Sequence, residues 1–290
     1  MDLTYRHEHL GDGPATLRAL LDGSHPFMEV LKTAKKPMVI LGRGALVRAD
    51  GAHILAAAWQ VAAAANALRP DWHGFNLLHQ FGGQAGALEI GFVPGQGGKA
   101  LGEMYAGGVD VLWLLGADGF DPAAIAPGTF VIYQGHHGDR AAARADVILP
   151  GAAYTEKEAT YVNTEGRAQR AWLAVHAPGE AREDWRILRA LSEGLGVTLP
   201  FDDLSQLRRE LAEAMPTVAH PFARRGCDDA AGPGGDPAQV SDAPFGIAIT
   251  HYHLADAIAR ASDVMAECAR IYGGTEAGPG APGATLQAAE

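Results

Sequence analysis

The chain has 290 residues, 48% of them apolar and 20% charged, which is room for one large α/β domain or two modest ones with a real core. Its 23 Lys and Arg against 34 Asp and Glu give a net charge of −11, which excludes an electrostatic nucleic-acid binder, because phosphate contacts need clustered cations. The two cysteines, Cys227 and Cys268, exclude a disulfide framework and a paired-cysteine metal knuckle, and they are too few for an iron–sulfur cluster, which takes about four thiolates.

The first eight residues carry mixed charge and no apolar run, so they read as neither a signal nor a transit peptide. From Pro37 the text becomes strand, glycine turn and helix. Met38 to Leu41 is a short apolar run, Gly42-Arg43-Gly44 turns it, and Asp50 is placed to cap an alanine-rich helix over 51–68 that ends before Pro70. The longest apolar stretch, Ile54 to Leu68, contains Gln60 and Asn66 and is too short and weak for a membrane span of about 20 residues. Three further runs, 109–115, 130–133 and 146–149, are apolar without alternation and separated by crossover material. That pattern predicts parallel strands covered on both sides, in a doubly wound, mostly parallel α/β sheet.

After Pro150 the residues from Ala159 to Val175 place β-branched side chains on either side of an Asn/Glu/Gly turn, which predicts a hairpin. Amphipathic helices follow over Glu183 to Leu195, with Trp185, Leu188 and Leu191 on one stripe, and over Asp203 to Met215, with Leu204, Leu207 and Leu211 on another; core packing is the expected role of both. Residues 217–249 and 273–290 are rich in Gly, Pro, Ala and Asp and read as a flexible linker and a disordered tail. Between them Leu254 to Tyr272 reads as a C-terminal helix carrying Ile258, Met265 and Ile271. The expected organisation is an α/β domain over 1–216, a linker over 217–249, a helix within 250–272 and the tail.

Four sets of residues are candidates for chemistry. Gly42, Arg43 and Gly44 follow a strand, where a backbone nest with Arg43 as counter-charge would receive a phosphate. The third glycine of the dinucleotide fingerprint is missing, since position 47 is Val, and no acidic residue ends a second strand, so a plain turn is the default. His136-His137-Gly138-Asp139 lies where α/β sheets present ligands, but adjacent histidines rarely share one ion and no third ligand stands at helical spacing. His53, His73 and His79 show no ligand spacing either, so no metal site is expected. Glu165 and Arg167 flank Gly166 beside Asn163 and Thr164, and either grip a polar ligand or satisfy their own turn, the second being favoured. With few serines, and with Cys227 and Cys268 outside the expected core, no nucleophile or catalytic residue can be assigned.

The run ADVILPGAAYTEKEATYVNTEGRAQ, from Ala145 to Gln169, resembles the large iron–sulfur subunit of NADH-quinone oxidoreductase, respiratory complex I. Shorter runs resemble the same family: Glu8 to Gly11 with Pro14 to Leu17, Gly86 to Gly95, Leu114 to Asp118, Arg182 to Trp185, Ala257 to Ser262, and Met265 to Cys268. The likeness covers nearly the whole chain apart from the linker and the last residues. It implies the later part of a molybdopterin-oxidoreductase-like domain, incomplete at its N-terminus, in a subunit whose iron–sulfur clusters sit in an earlier cysteine-rich region. It implies a fold kept without its pterin, in which Gly42, Arg43, Gly44, Asn163, Glu165 and Arg167 are remnants of a pterin pocket.

The role so implied is structural support of electron transfer from NADH to quinone, with no redox centre, cofactor or catalysis in this chain. Its partners are then other peripheral-arm subunits, without nucleic acid or direct membrane insertion, and its place is the cytoplasmic face of the inner membrane. Two alternatives belong to other classes: the C-terminal part of a catalytic molybdopterin oxidoreductase that retains its cofactor, and an independent dinucleotide-binding module at Gly42-Arg43-Gly44. A domain lacking its upstream layers is further expected to expose apolar surface.

Overall fold

A computed structural model describes residues 4–138, 140–219, 232–245 and 252–272. The described residues of Met1–Gln80 and Gly226–Ala248 form one compact unit, and those of Phe81–Arg225 and Ile249–Ala288 a second. Asp139, Cys227 and the tail over 273–290 lie outside the described residues.

In the first unit, α1 (Pro14–Leu21) and α2 (Phe27–Thr33) precede β1 (Val39–Gly42), and α3 (Gly51–Ala64) follows it. Alanines let α3 sit close to its neighbours, and Ile54, Ala57, Val61 and Ala62 are buried. Met28, Val61 and Ala65 make one cluster with Leu17, Leu21, Leu31 and Val39 around them. The helix stops four residues short of the sequence expectation because Asn66 takes a left-handed conformation (φ 58°), which ends a helix and which Asn tolerates. The residues beyond pair instead as a small antiparallel ribbon of β2 (Leu68–Arg69) and β3 (Trp72–His73), steadied by the Trp72 indole N–H donating to the Pro37 carbonyl at 2.7 Å. β4 (Phe75–Leu78) then runs parallel to β1, with Val39 opposite Phe75.

Asp50 does not cap α3, as the sequence suggested; its side chain makes no cap hydrogen bond. Its carboxylate instead accepts from the Arg48 guanidinium at 2.7 and 2.8 Å and from the Ser241 N–H and hydroxyl, both at 2.9 Å. Arg48 also donates to Ser241 Oγ at 2.8 Å and to the Pro244 carbonyl at 3.0 Å. The expected linker is therefore corrected over residues 232–245, which are held to this unit. Val240 is buried against Ile54 and Ala57, and Arg18 binds the Val240 carbonyl and the Asp242 carboxylate. Gly235, at φ 128°, comes so near the Ala52 carbonyl that a Cβ would lie 2.5 Å from it, so this glycine marks a close approach rather than chain freedom.

The second unit opens with α4 (Gln84–Glu89) and α5 (Leu101–Glu103), the latter running into a π turn over Met104–Gly108. β5 (Val111–Leu115), β6 (Phe130–Gly135) and, after α6 (Arg140–Arg144), β7 (Val147–Pro150) form a three-stranded parallel sheet in the order β5-β6-β7. Its strands match the three apolar runs to within two residues. One face carries Leu112, Leu114, Val131 and Tyr133 into a core with Tyr105, Phe120, Ile125 and Ala141. The other face does not meet the expectation of cover on both sides: Val111 is 56% exposed, Leu115 46%, Phe130 45% and Val147 39%.

The predicted hairpin is present as β8 (Ala159–Val162) antiparallel to β9 (Ala168–Ala171). α7 (Asp184–Gly194) and α8 (Leu204–Ala214) take the predicted positions, and Leu211 and Met215 join Val162 and Ala168 in a small cluster. The expected C-terminal helix is broken into a 3-10 turn at Tyr252–Leu254, α9 (Ala257–Arg260) and α10 (Asp263–Tyr272). Two caps restart it: Asp256 accepts from the Ala259 N–H at 2.9 Å, and Ser262 Oγ accepts from the Met265 N–H at 3.3 Å.

Candidate functional site

Gly42, Arg43 and Gly44 stand at the end of β1 in the first unit. Gly42 is extended (φ −72°, ψ 136°) and leads into a 3-10 turn over Arg43–Leu46. A Cβ on Gly42 would meet nothing within 4 Å, so neither close approach nor left-handed backbone requires glycine there. The alternating backbone of an anion nest is therefore not formed at this turn. The imidazole of His79, just past β4, is held below its ordinary value by burial and then by the charge of Arg43.

Asn163, Glu165 and Arg167 belong to the second unit, in the β8–β9 turn. Asn163 Oδ1 accepts from the backbone N–H groups of Glu165 at 3.1 Å and Arg167 at 2.9 Å. Gly166, at φ 74°, donates its N–H to the Asn163 carbonyl at 3.0 Å, and the Arg167 guanidinium pairs with the Glu165 carboxylate at 3.3 and 3.4 Å. The side chains brace the hairpin that carries them. Replacing Asn163 by Ala removes two acceptor bonds at once and is expected to lower stability by about 1–2 kcal/mol, read as a lower urea midpoint with an unchanged slope.

The C-terminal ends of β5 and β6 bring together groups that local sequence did not link. Gln134 is fully buried and donates to Asp184 Oδ1 at 2.9 Å, and the same carboxylate pairs with Lys157. The Nδ1 atoms of His136 and His137 lie 2.6 Å apart, a hydrogen bond in which one ring donates to the other. Burial first, and then the charges of His137 and Lys157, push the His136 imidazole below its ordinary value, although Asp118 and Asp184 pull the other way. Asp118 is buried, its Oδ1 2.7 Å from Arg260 Nη2 and its Oδ2 3.3 Å from the Tyr133 hydroxyl. Asp118 and Asp184 both fall inside runs that carried the family resemblance, and that was their only signal. Among the described residues no group of three or more His, Cys, Asp or Glu side chains is placed to hold a metal ion.

The family model for molybdopterin oxidoreductase matches residues 1–194, two-thirds of the chain. The chain belongs to the molybdopterin oxidoreductase family. Beyond that match, residues 224–268 fit the model for the C-terminal part of the large iron–sulfur subunit of NADH-ubiquinone oxidoreductase. The chain is 41% identical to the mitochondrial NADH dehydrogenase (ubiquinone) iron-sulfur protein 1 of Solanum tuberosum, over 93% of its own length and 36% of that protein's. It is 40% identical to the mitochondrial NADH-ubiquinone oxidoreductase 78 kDa subunit of Neurospora crassa, over 92% of the chain and 36% of the relative. It is 37% identical to the 75 kDa subunit of Reclinomonas americana, over 93% and 39%. The resemblance read from the motifs is thus borne out, and the chain spans little more than a third of the length of these relatives.

The family's name implies a pterin, and the implied remnants do not fit as its grip. Asn163 Oδ1 is taken by two N–H groups of its own turn, Glu165 and Arg167 face each other, and Gly42 offers no cradle that a Cβ would fill. No chemical step through a pterin follows from these residues in this member of the molybdopterin oxidoreductase family.

Proposed function

We propose that this chain is a structural and assembly portion of the large iron–sulfur subunit of NADH-ubiquinone oxidoreductase, complex I. The observation that carries this reading is 37–41% identity to 75 and 78 kDa subunits of that enzyme along 92–93% of the chain. With two cysteines in 290 residues, the electrons pass through clusters held by polypeptide outside this sequence, and the α/β units contribute packing surface. Its partners are the other subunits of the peripheral arm, on the cytoplasmic face of the inner membrane. In keeping with that place, no helix among the described residues is long and apolar enough to cross a membrane.

The match to the molybdopterin oxidoreductase model over 1–194 favours a second reading, a fragment of a cofactor-bearing oxidoreductase. One experiment separates the two. The protein is tagged in its own host, solubilised membranes are resolved on a native gel, and the tagged band is assayed for NADH oxidation and for pterin fluorescence after acid oxidation. Co-migration with NADH oxidation and only trace pterin is expected. Absence from the active band, or pterin in equal amount to the chain, would overturn the first reading.

A further inference from the structure

At the C-terminal ends of β5 and β6 the second unit encloses a cavity of about 580 Å³. This is the edge at which parallel α/β sheets present ligands. One wall is made by strand-end residues, among them Gly116, Asp118 and His136; the opposite wall is Ala255 to Arg260, with Ser262 and Met265. The chain's own C-terminal segment therefore lies across the edge. That segment falls beyond the 1–194 match and, to residue 268, within the match to the NADH-ubiquinone oxidoreductase C-terminal model.

Its hold on the strand ends is specific. Gly116, at φ 62°, turns the chain as β5 ends and delivers Asp118 beneath the segment. The Arg260–Asp118 pair is 2.7 Å long, with side chains only 17% and 10% exposed. Asp118 is braced from β6 by Tyr133, whose hydroxyl also lies 2.9 Å from the His137 carbonyl. Arg260 reaches back to the Leu254 carbonyl at 3.4 Å, so one guanidinium closes the segment on itself and ties it to the sheet. A carboxylate this buried is costly without its cation, so the two ends of the pin require each other.

We propose that residues 252–272 are a built-in strap that closes the ligand edge of the β5–β7 sheet, with the Arg260–Asp118 pair as its pin. The strap and any molecule entering at that edge then exclude one another, and the edge opens when the pin is broken.

The test uses the full 290-residue chain. Carboxyl groups are labelled with a carbodiimide and glycine ethyl ester and read site by site by mass spectrometry, with exposed Glu29 as internal reference. In R260Q, Asp118 is expected to label at least about tenfold faster, as loss of one partner of a buried pair implies, with Glu29 unchanged. R260K, which keeps the charge and loses the fork, is expected to fall between. Hydrogen exchange in D118N is expected to speed up in 257–272 and to stay slow in β5–β7, and it carries the test alone if R260Q does not fold. Unchanged Asp118 labelling in folded R260Q overturns the proposal. So does exchange that spreads through β5–β7 in D118N, because the pair is then a core contact rather than a pin.

Discussion

The double substitution Val111→Thr/Phe130→Ser is expected to turn a self-associating, dye-binding chain into a monomer with little loss of stability. Val111 and Phe130 are register partners on neighbouring parallel strands, so their side chains leave the sheet on the same side. Leu115 lies on that side, one pleat repeat along from Trp113, and Val147 faces it from β7 through its pairing with Ile132. These apolar side chains stand 39–56% exposed across all three strands, whereas Leu112, Leu114, Val131 and Tyr133 on the other side are almost wholly covered. A contiguous face of this kind drives association at roughly 25 cal/mol per Å² covered, which makes self-pairing the default for a bare parallel sheet. Thr keeps the β-branched shape of Val, so the strand itself is little disturbed. Fluorescence of a hydrophobic dye should fall by about half or more, and light scattering should report the monomer mass. Val131→Thr, on the covered side, is the control: it should unfold more easily and associate no less. A wild-type chain that is monomeric and dye-silent at micromolar concentration would show that this face is satisfied in solution.

The same sheet shows what a sequence can and cannot say. The runs at 109–115, 130–133 and 146–149 announced β5, β6 and β7 because burial demand is written locally, in unbroken Val, Ile, Leu and aromatic residues. The hairpin at 159–171 was legible for a similar reason, since Asn163 and Gly166 encode its turn. What meets the burial demand is not local. Nothing near Val111 tells that one face of its sheet is bare, and nothing near residue 240 tells that Gly and Pro there lie against α3. Composition registers freedom of the backbone, and the partners that remove it, Arg18, Arg48 and Asp50, are about 190 to 224 residues away. The site follows the same rule. The Asn163 turn was read correctly as self-satisfying because its partners are within four residues, while the Asp118–Arg260 pair spans 142 and was invisible.

Asp50→Ala should release residues 232–245 from the first unit, the largest single effect expected from the polar network. The Asp50 carboxylate joins Arg48 to Ser241 in the bonds that hold this segment, and it is itself buried. Removing it strands the Arg48 guanidinium and two donors of Ser241, which for hydrogen bonds to a charged group is a loss of about 2–4 kcal/mol in local opening free energy. The measurement is hydrogen exchange across 236–245, with Val240 pulling away from Ile54 and Ala57. Acid should do the same by another route. The Arg48 guanidinium first, then the Ser241 N–H and hydroxyl, hold the Asp50 carboxyl far below the usual carboxylate range. Because its folded pKa lies below the unfolded value near about 4, its stabilisation is complete above that pH and drains away as the pH falls toward the folded pKa. Exchange in the segment should therefore accelerate steadily below about pH 4 in the wild type, beyond the intrinsic pH dependence of the amides. Asp50→Asn, which keeps the shape and cannot titrate, should start from weaker protection and follow the intrinsic dependence alone. Equal slopes in the two proteins would mean that another carboxylate, and not Asp50, ties the segment to α3.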